Sequence, residues 1–95
     1  MYDFEWDINK SLENERKHKV SFNEAISIFA DPFAIYFEDE EHSDYEQRSK
    51  IIGKSSHGKM LLVVYTERGN KIRIISSRIL TPKERKNYEN KRKYQ

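Results

Sequence analysis

Three runs of strand-forming residues, Arg48 to Lys54, Lys59 to Glu67 and Lys71 to Arg78, are separated only by Ser55-Ser56-His57-Gly58 and Arg68-Gly69-Asn70. Glycine-containing loops this short close hairpins, so the three runs must lie side by side as an antiparallel meander. The middle run, Met60-Leu61-Leu62-Val63-Val64-Tyr65, is apolar at both parities, which predicts a central strand covered on both faces. The third run sets Arg73 and Arg78 on a strand that must be largely buried. A guanidinium there is costly unless an anion meets it, and that anion is either an internal carboxylate or a bound phosphate.

The flanking segments supply helices. Tyr2 to Trp6 alternates aromatic with acidic residues, as a short edge strand would, and Asp7 can cap the helix that follows. Within 7–18, Ile8 and Leu12 form one stripe, while Lys10, Asn14, Lys17 and His18 form a nearly opposite one: a solvated face, or a cationic wall with a titratable imidazole. Ser21-Phe22-Asn23-Glu24 is a capping box opening a second helix that packs through Phe22, Ala25, Ile26 and Phe29 and ends at Asp31-Pro32. Phe33 to Phe37 reads as a strand running into the acidic Glu38-Asp39-Glu40-Glu41, and the S-x-x-E at Ser43 to Glu46 predicts a single helical turn. Thr81-Pro82-Lys83-Glu84 opens a last helix, almost wholly polar beyond Tyr88 and so either exposed or a docking surface for another chain. The expectation is one α+β domain over 1–95: two N-terminal helices packed on an antiparallel sheet, with a C-terminal helix.

Hydrophobic and charged residues each make up 36% of the 95-residue chain, which leaves a thin core and favours reliance on a partner or a second copy. Cysteine is absent, excluding disulfides and thiolate metal sites. The start carries no secretory pattern, and no window approaches the ~20 apolar residues of a membrane span, so a soluble cytoplasmic protein is expected. Residues 1–46 hold 4 Lys/Arg against 13 Asp/Glu, and residues 47–95 hold 14 against 3. That asymmetry suggests an anion-facing surface and an opposite one suited to a basic partner.

The chemistry narrows accordingly. The acidic residues around His42 match no zinc or calcium spacing, so no metal or other cofactor is expected, and no nucleophile elbow or phosphate-cradling glycine loop is present. RNA cleavage needs less, because the attacking 2′-hydroxyl belongs to the substrate and the protein need only hold the phosphate, stabilise its charge and move protons. Lys17 and His18 on the first helix, Arg48, Arg73 and Arg78 on the sheet, and Trp6 or Tyr65 as stacking surfaces can assemble such a site. Nucleic-acid binding without catalysis would use the same residues.

Trp6-Asp7-x-x-Lys10-x-x-x-Asn14-x-x-Lys17-His18, with Val20-Ser21-Phe22 and Ala25, resembles the opening of the BrnT family of bacterial toxins. Asp31, His42-Ser43, Glu46-x-Arg48, Gly53, Val64-Tyr65-Thr66, Arg73-Ile74-Ile75-Ser76-x-Arg78 and Glu84-Arg85-x-x-Tyr88 resemble its later motifs in order, across nearly the whole chain. The resemblance implies a RelE-like fold and a metal-independent endoribonuclease acting as the toxin of a type II toxin–antitoxin pair, so that it blocks translation. It also implies neutralisation by a BrnA-type antitoxin, a ribbon-helix-helix protein through which alone operator DNA would be bound, in a heterotetramer or alongside a toxin homodimer. On this reading Arg73, Arg78 and Arg48 are the phosphate and transition-state cations, and His18 or Lys17 transfers a proton. Glu46 is a general base or an arginine's partner, and Trp6, Tyr65, Lys10 and Arg68 contact RNA. Two departures stand out: Lys19 where the family carries glycine, suited to a left-handed helix cap, and Ser77 where alanine is commoner. Strict alternation would send Arg73 and Arg78 to opposite faces, so a bulge near Ser76 or Ser77, or different roles for the two, is required.

Overall fold

The computed structural model describes residues 3–39 and 46–93, with the side chains of residues 92 and 93 left aside. Tyr2, the run from Glu40 to Tyr45 and most of the helical turn expected there lie outside the described residues. The elements in order are β1 (Asp3–Glu5), α1 (Ile8–His18), α2 (Phe22–Ile26) with a 3₁₀ turn over Ser27–Ala30, β2 (Ile35–Glu38), β3 (Arg48–Lys54), β4 (Met60–Arg68), β5 (Lys71–Ile79) and α3 (Pro82–Lys93). The sheet order is β1-β5-β4-β3-β2. The β3–β4–β5 meander is as expected, but β1 joins β5 in parallel, pairing Phe4 with Ile72. The sheet is therefore mixed, because the chain must cross back through two helices before the meander begins.

The doubly apolar β4 explains the layering. Leu61, Val63 and Tyr65 point to one face, where they join Val20, Phe22, Ala25, Ile28, Ile51, Ile72 and Ile74 in the main core. Leu62 points the other way into a smaller cluster with Leu80 and Tyr88, flanked by Ile35, Ile52 and Met60. Tyr88 is the one apolar anchor of α3, and its hydroxyl donates to the Phe33 carbonyl at 3.2 Å. So α3 covers only one end of the second face.

The first helix is turned opposite to its apolar stripe. Ile8 and Leu12 are 67% and 61% exposed, whereas Asn14 is buried. Beyond the three residues of β1, the outer backbone edge of β5 needs hydrogen-bond partners, and Asn14 supplies them. Its Nδ2 donates to the carbonyls of Ser77 (2.8 Å) and Val20 (3.1 Å), while its Oδ1 accepts from the Ser77 N–H (3.1 Å). A buried edge that would otherwise strand polar groups outweighs two modestly apolar side chains.

Both departures from the family pattern have a visible cost. Lys19 caps α1 at φ 60°, ψ 28°, its N–H donating to the Glu15 carbonyl, a left-handed conformation that glycine adopts freely and lysine does not. Ser77 is wholly buried, and its Oγ meets no hydrogen-bond partner among the described residues. Lys19→Gly and Ser77→Ala are each expected to raise stability by about 1 kcal/mol, read as a higher thermal midpoint; a fall in both variants would contradict these assignments.

Candidate nucleic-acid interface

Register decides which side chains share a face. On β4, Tyr65 pairs with Ile74 but Val64 pairs with Ser76, leaving Ile75 as the extra residue of a β-bulge. The bulge resets the parity of β5, so Arg73, opposite Thr66, and Arg78, opposite Leu62, lie on the same face. On β3, Arg48 also stands opposite Thr66 and Lys50 opposite Val64. Across the sheet the residues form rows: Arg48, Thr66, Arg73 and Glu5; then Phe37, Lys50, Val64 and Ser76; then Ile35, Ile52, Leu62 and Arg78. The third row lies among the apolar residues packed with α3, and the first two form the open half of the face.

The two arginines differ in how much of the guanidinium is committed. Arg73 Nη1 donates to Glu5 Oε2 at 3.1 Å, with both side chains about 30% exposed; the rest of a five-donor fork remains for an anion. Arg78 instead makes a bidentate pair with Glu84, at 2.7 and 2.8 Å, and adds a bond to the Ile79 carbonyl. Glu84 also completes the capping box of α3, accepting from Thr81 N–H while Thr81 Oγ1 accepts from Glu84 N–H. The anion that meets Arg78 is thus an internal carboxylate, which takes the two-pronged end of its fork and ties the start of α3 to the sheet. Hydrogen bonding from Arg78 holds the Glu84 carboxyl down from its ordinary 4.5 to about 2, and Glu84 in turn raises Arg78. Because the folded value lies below the unfolded one, the stabilisation is complete above pH 4.5 and is lost as pH falls towards 2. For a pair about one-third exposed this amounts to about 1 kcal/mol. Thermal midpoints between pH 5 and pH 2.5 should fall less steeply in Arg78→Ala than in the wild type; equal slopes would exclude the pair as their source.

The remaining candidates divide by location. Glu46 is an arginine's partner: Arg68 Nη2 donates to its Oε2 at 3.1 Å, beside the Arg48 row, with Arg68 half exposed. Lys10, Lys17 and His18 line a shallow hollow with Glu13, Asn14 and the bulge residues Ile75 and Ser76, between α1 and β5. Lys17 and His18 lie in the last turn of α1, where the helix dipole favours cations. Trp6 and Tyr65, expected as stacking surfaces, lie on the core side of the sheet. Tyr65 is 5% exposed and packs edge-on against Phe29, and half-buried Trp6 packs edge-on against Phe22; both were drawn into the main core by the parity of their strands.

Sequence reasoning passed over Glu5, Lys50 and Phe37. The alternation of β1 sets Glu5 opposite in parity to Phe4 and Trp6, a signal that could have found it. Lys50 and Phe37 needed the β2–β3 register. Likewise, Glu24 of the capping box that opens α2 turns inward instead of reciprocating: its Oε2 accepts from Ser55 Oγ at 2.7 Å, and Lys59 and His57 lie within 3.7 Å of Oε1, which ties the β3–β4 loop to α2. Among the described residues no group of three His, Asp or Glu side chains is arranged to hold a metal ion, and no helix is long and apolar enough to cross a membrane.

A sequence model for a family described as the ribonuclease toxin BrnT of type II toxin–antitoxin systems matches residues 6–84. The crystal structure of the Brucella abortus ribonuclease toxin BrnT superposes with a TM-score of 0.67 at 20% identity, covering 85% of this chain and 99% of that one. At that identity the match speaks for the fold. No curated protein sequence matches the chain.

Proposed function

Since the chain belongs to the BrnT family of ribonuclease toxins of type II toxin–antitoxin systems, we propose that it is an endoribonuclease whose active surface is the open half of the sheet, the part of the face that α3 leaves uncovered. The observation that carries this is the register that sets Arg48 and Arg73 on either side of Thr66, in one row of the same face. Their strands lie about 10 Å apart with one strand between, so two long side chains can converge on one phosphate above Thr66. The 2′-oxygen attacks the adjacent phosphorus, a carboxylate takes its proton, and the 5′-oxygen leaves with a proton, giving 2′,3′-cyclic phosphate and 5′-hydroxyl ends. Glu5 and Glu46 are the carboxylates at this row, each beside an arginine; Lys17 and His18 supply the leaving-group proton from the hollow beyond Ser76. The arginines stabilise the charge that develops at phosphorus, without a metal ion.

The partner follows from the same family. A BrnA-type antitoxin is expected to neutralise the protein, and Ile8 and Leu12, standing out from α1, offer a protein rather than RNA an apolar foothold. The test is incubation of the purified protein with single-stranded RNA in EDTA, with end-group analysis. Cyclic or 3′-phosphate termini are expected. Strict dependence on added Mg²⁺ would refute the mechanism, and retention of RNA without cutting would favour a binding module.

A further inference from the structure

Resting on that reading, we infer that Phe37 is the platform on which a nucleobase adjoining the scissile phosphate stacks, and that Lys50 holds the ring in place. Neither Trp6 nor Tyr65 offers a free ring face to the open surface, so an RNA lying along the arginines needs another aromatic. Phe37 on β2 stands directly opposite Lys50 on β3, in the row next to that of Arg48. From Arg48 it is one strand over and two residues along, about 8 Å between backbone traces, within the reach of a single nucleotide. Phe37 is 40% exposed although it shares the face that elsewhere packs against α3.

The Lys50 ammonium sits 5.9 Å from the centroid of the Phe37 ring. That ammonium is itself steadied by Asp39, 3.6 Å away and only 3% exposed. A buried carboxylate, a cation and an aromatic ring in sequence give the ring a fixed orientation, and a cation beside a base-stacking ring suits an anionic single strand.

The test uses the full chain and a short single-stranded RNA with one cleavable site, in which an abasic residue replaces each neighbouring nucleotide in turn. For the wild type, one abasic position should lower kcat/KM by roughly ten- to a hundred-fold, the loss expected when one base–aromatic stack is removed. Phe37→Ala and Phe37→Leu should show the same loss on intact RNA, mainly in KM, and no further loss at that abasic position; Phe37→Trp should restore the wild-type pattern. Phe37→Leu retains an apolar side chain on the strand, so a loss there with an unchanged thermal midpoint separates stacking from folding. If Phe37→Leu matches the wild type on intact RNA, or if its loss multiplies with that of every abasic position, the platform assignment is overturned, including the case where the variant weakens only binding of a protein partner. Should the wild type cut nothing, the parent reading fails. The same comparison of affinities for 2′-O-methyl RNA, read by fluorescence anisotropy, still judges Phe37: equal affinities for wild type and Phe37→Leu would exclude it.

Discussion

Arg73→Ala is expected to lower RNA cleavage by on the order of 10²- to 10³-fold, the usual cost of removing one group that stabilises transition-state charge, while the protein stays folded. The internal carboxylate partner makes this outcome informative. Glu5 is about one-third exposed, so water can rehydrate it once the guanidinium is gone, and the lost pair costs at most about 1 kcal/mol. A buried pair broken on one side would cost roughly 3 to 5 kcal/mol and unfold much of so small a domain. Cleavage assays and thermal midpoints on Arg73→Ala and Arg78→Ala together separate the two roles. Arg73→Ala should lose activity at a near-unchanged midpoint, whereas Arg78→Ala should loosen α3 and keep measurable cleavage. The reverse pattern would exchange the two assignments.

Asn14→Ala should be the most destabilising single polar change, by roughly 3 kcal/mol, because it strands one N–H and two carbonyls that are buried between α1 and β5. For a domain of this size that lowers the thermal midpoint by more than about 10 °C. Asn14→Asp should be no milder, since a carboxylate cannot donate to the two carbonyls and repels them. Activity should fall along with stability, because the same β5 strand carries Arg73 opposite Thr66. An unchanged midpoint in Asn14→Ala, by calorimetry, would mean that these bonds do not hold the edge of β5.

The meander, the cap of α3 and the two-faced β4 were legible because each rests on local chemistry: short glycine loops, a Thr-Pro-x-Glu start and apolar residues at both parities. The orientation of α1 was not. Its apolar stripe is weak, and the deciding interaction joins Asn14 to Ser77, 63 positions away. The shared face of Arg73 and Arg78 required a bulge somewhere near Ser76, but only pairing with β4 identifies Ile75 as the extra residue. The core-side placement of Tyr65 and Trp6 was not legible either. An aromatic side chain looks the same in sequence whether its strand turns it towards the core or towards a ligand. The charge split between the two halves of the chain also misled in part, since Glu5, Asp39 and Glu46 fold back onto Arg73, Lys50 and Arg68. What distinguishes a site from a structural pair here is how many guanidinium donors remain.

The most direct test of the open face as the RNA site is to titrate the isotopically labelled protein with a short 2′-deoxy-substituted oligonucleotide that binds but cannot be cut, following backbone amide resonances. The largest shifts are expected at Lys50, Val64, Thr66 and Arg73, with smaller ones at Lys17 and His18. Shifts confined to the outer side of α1 around Ile8 and Leu12, or to α3, with β3 to β5 silent, would contradict it.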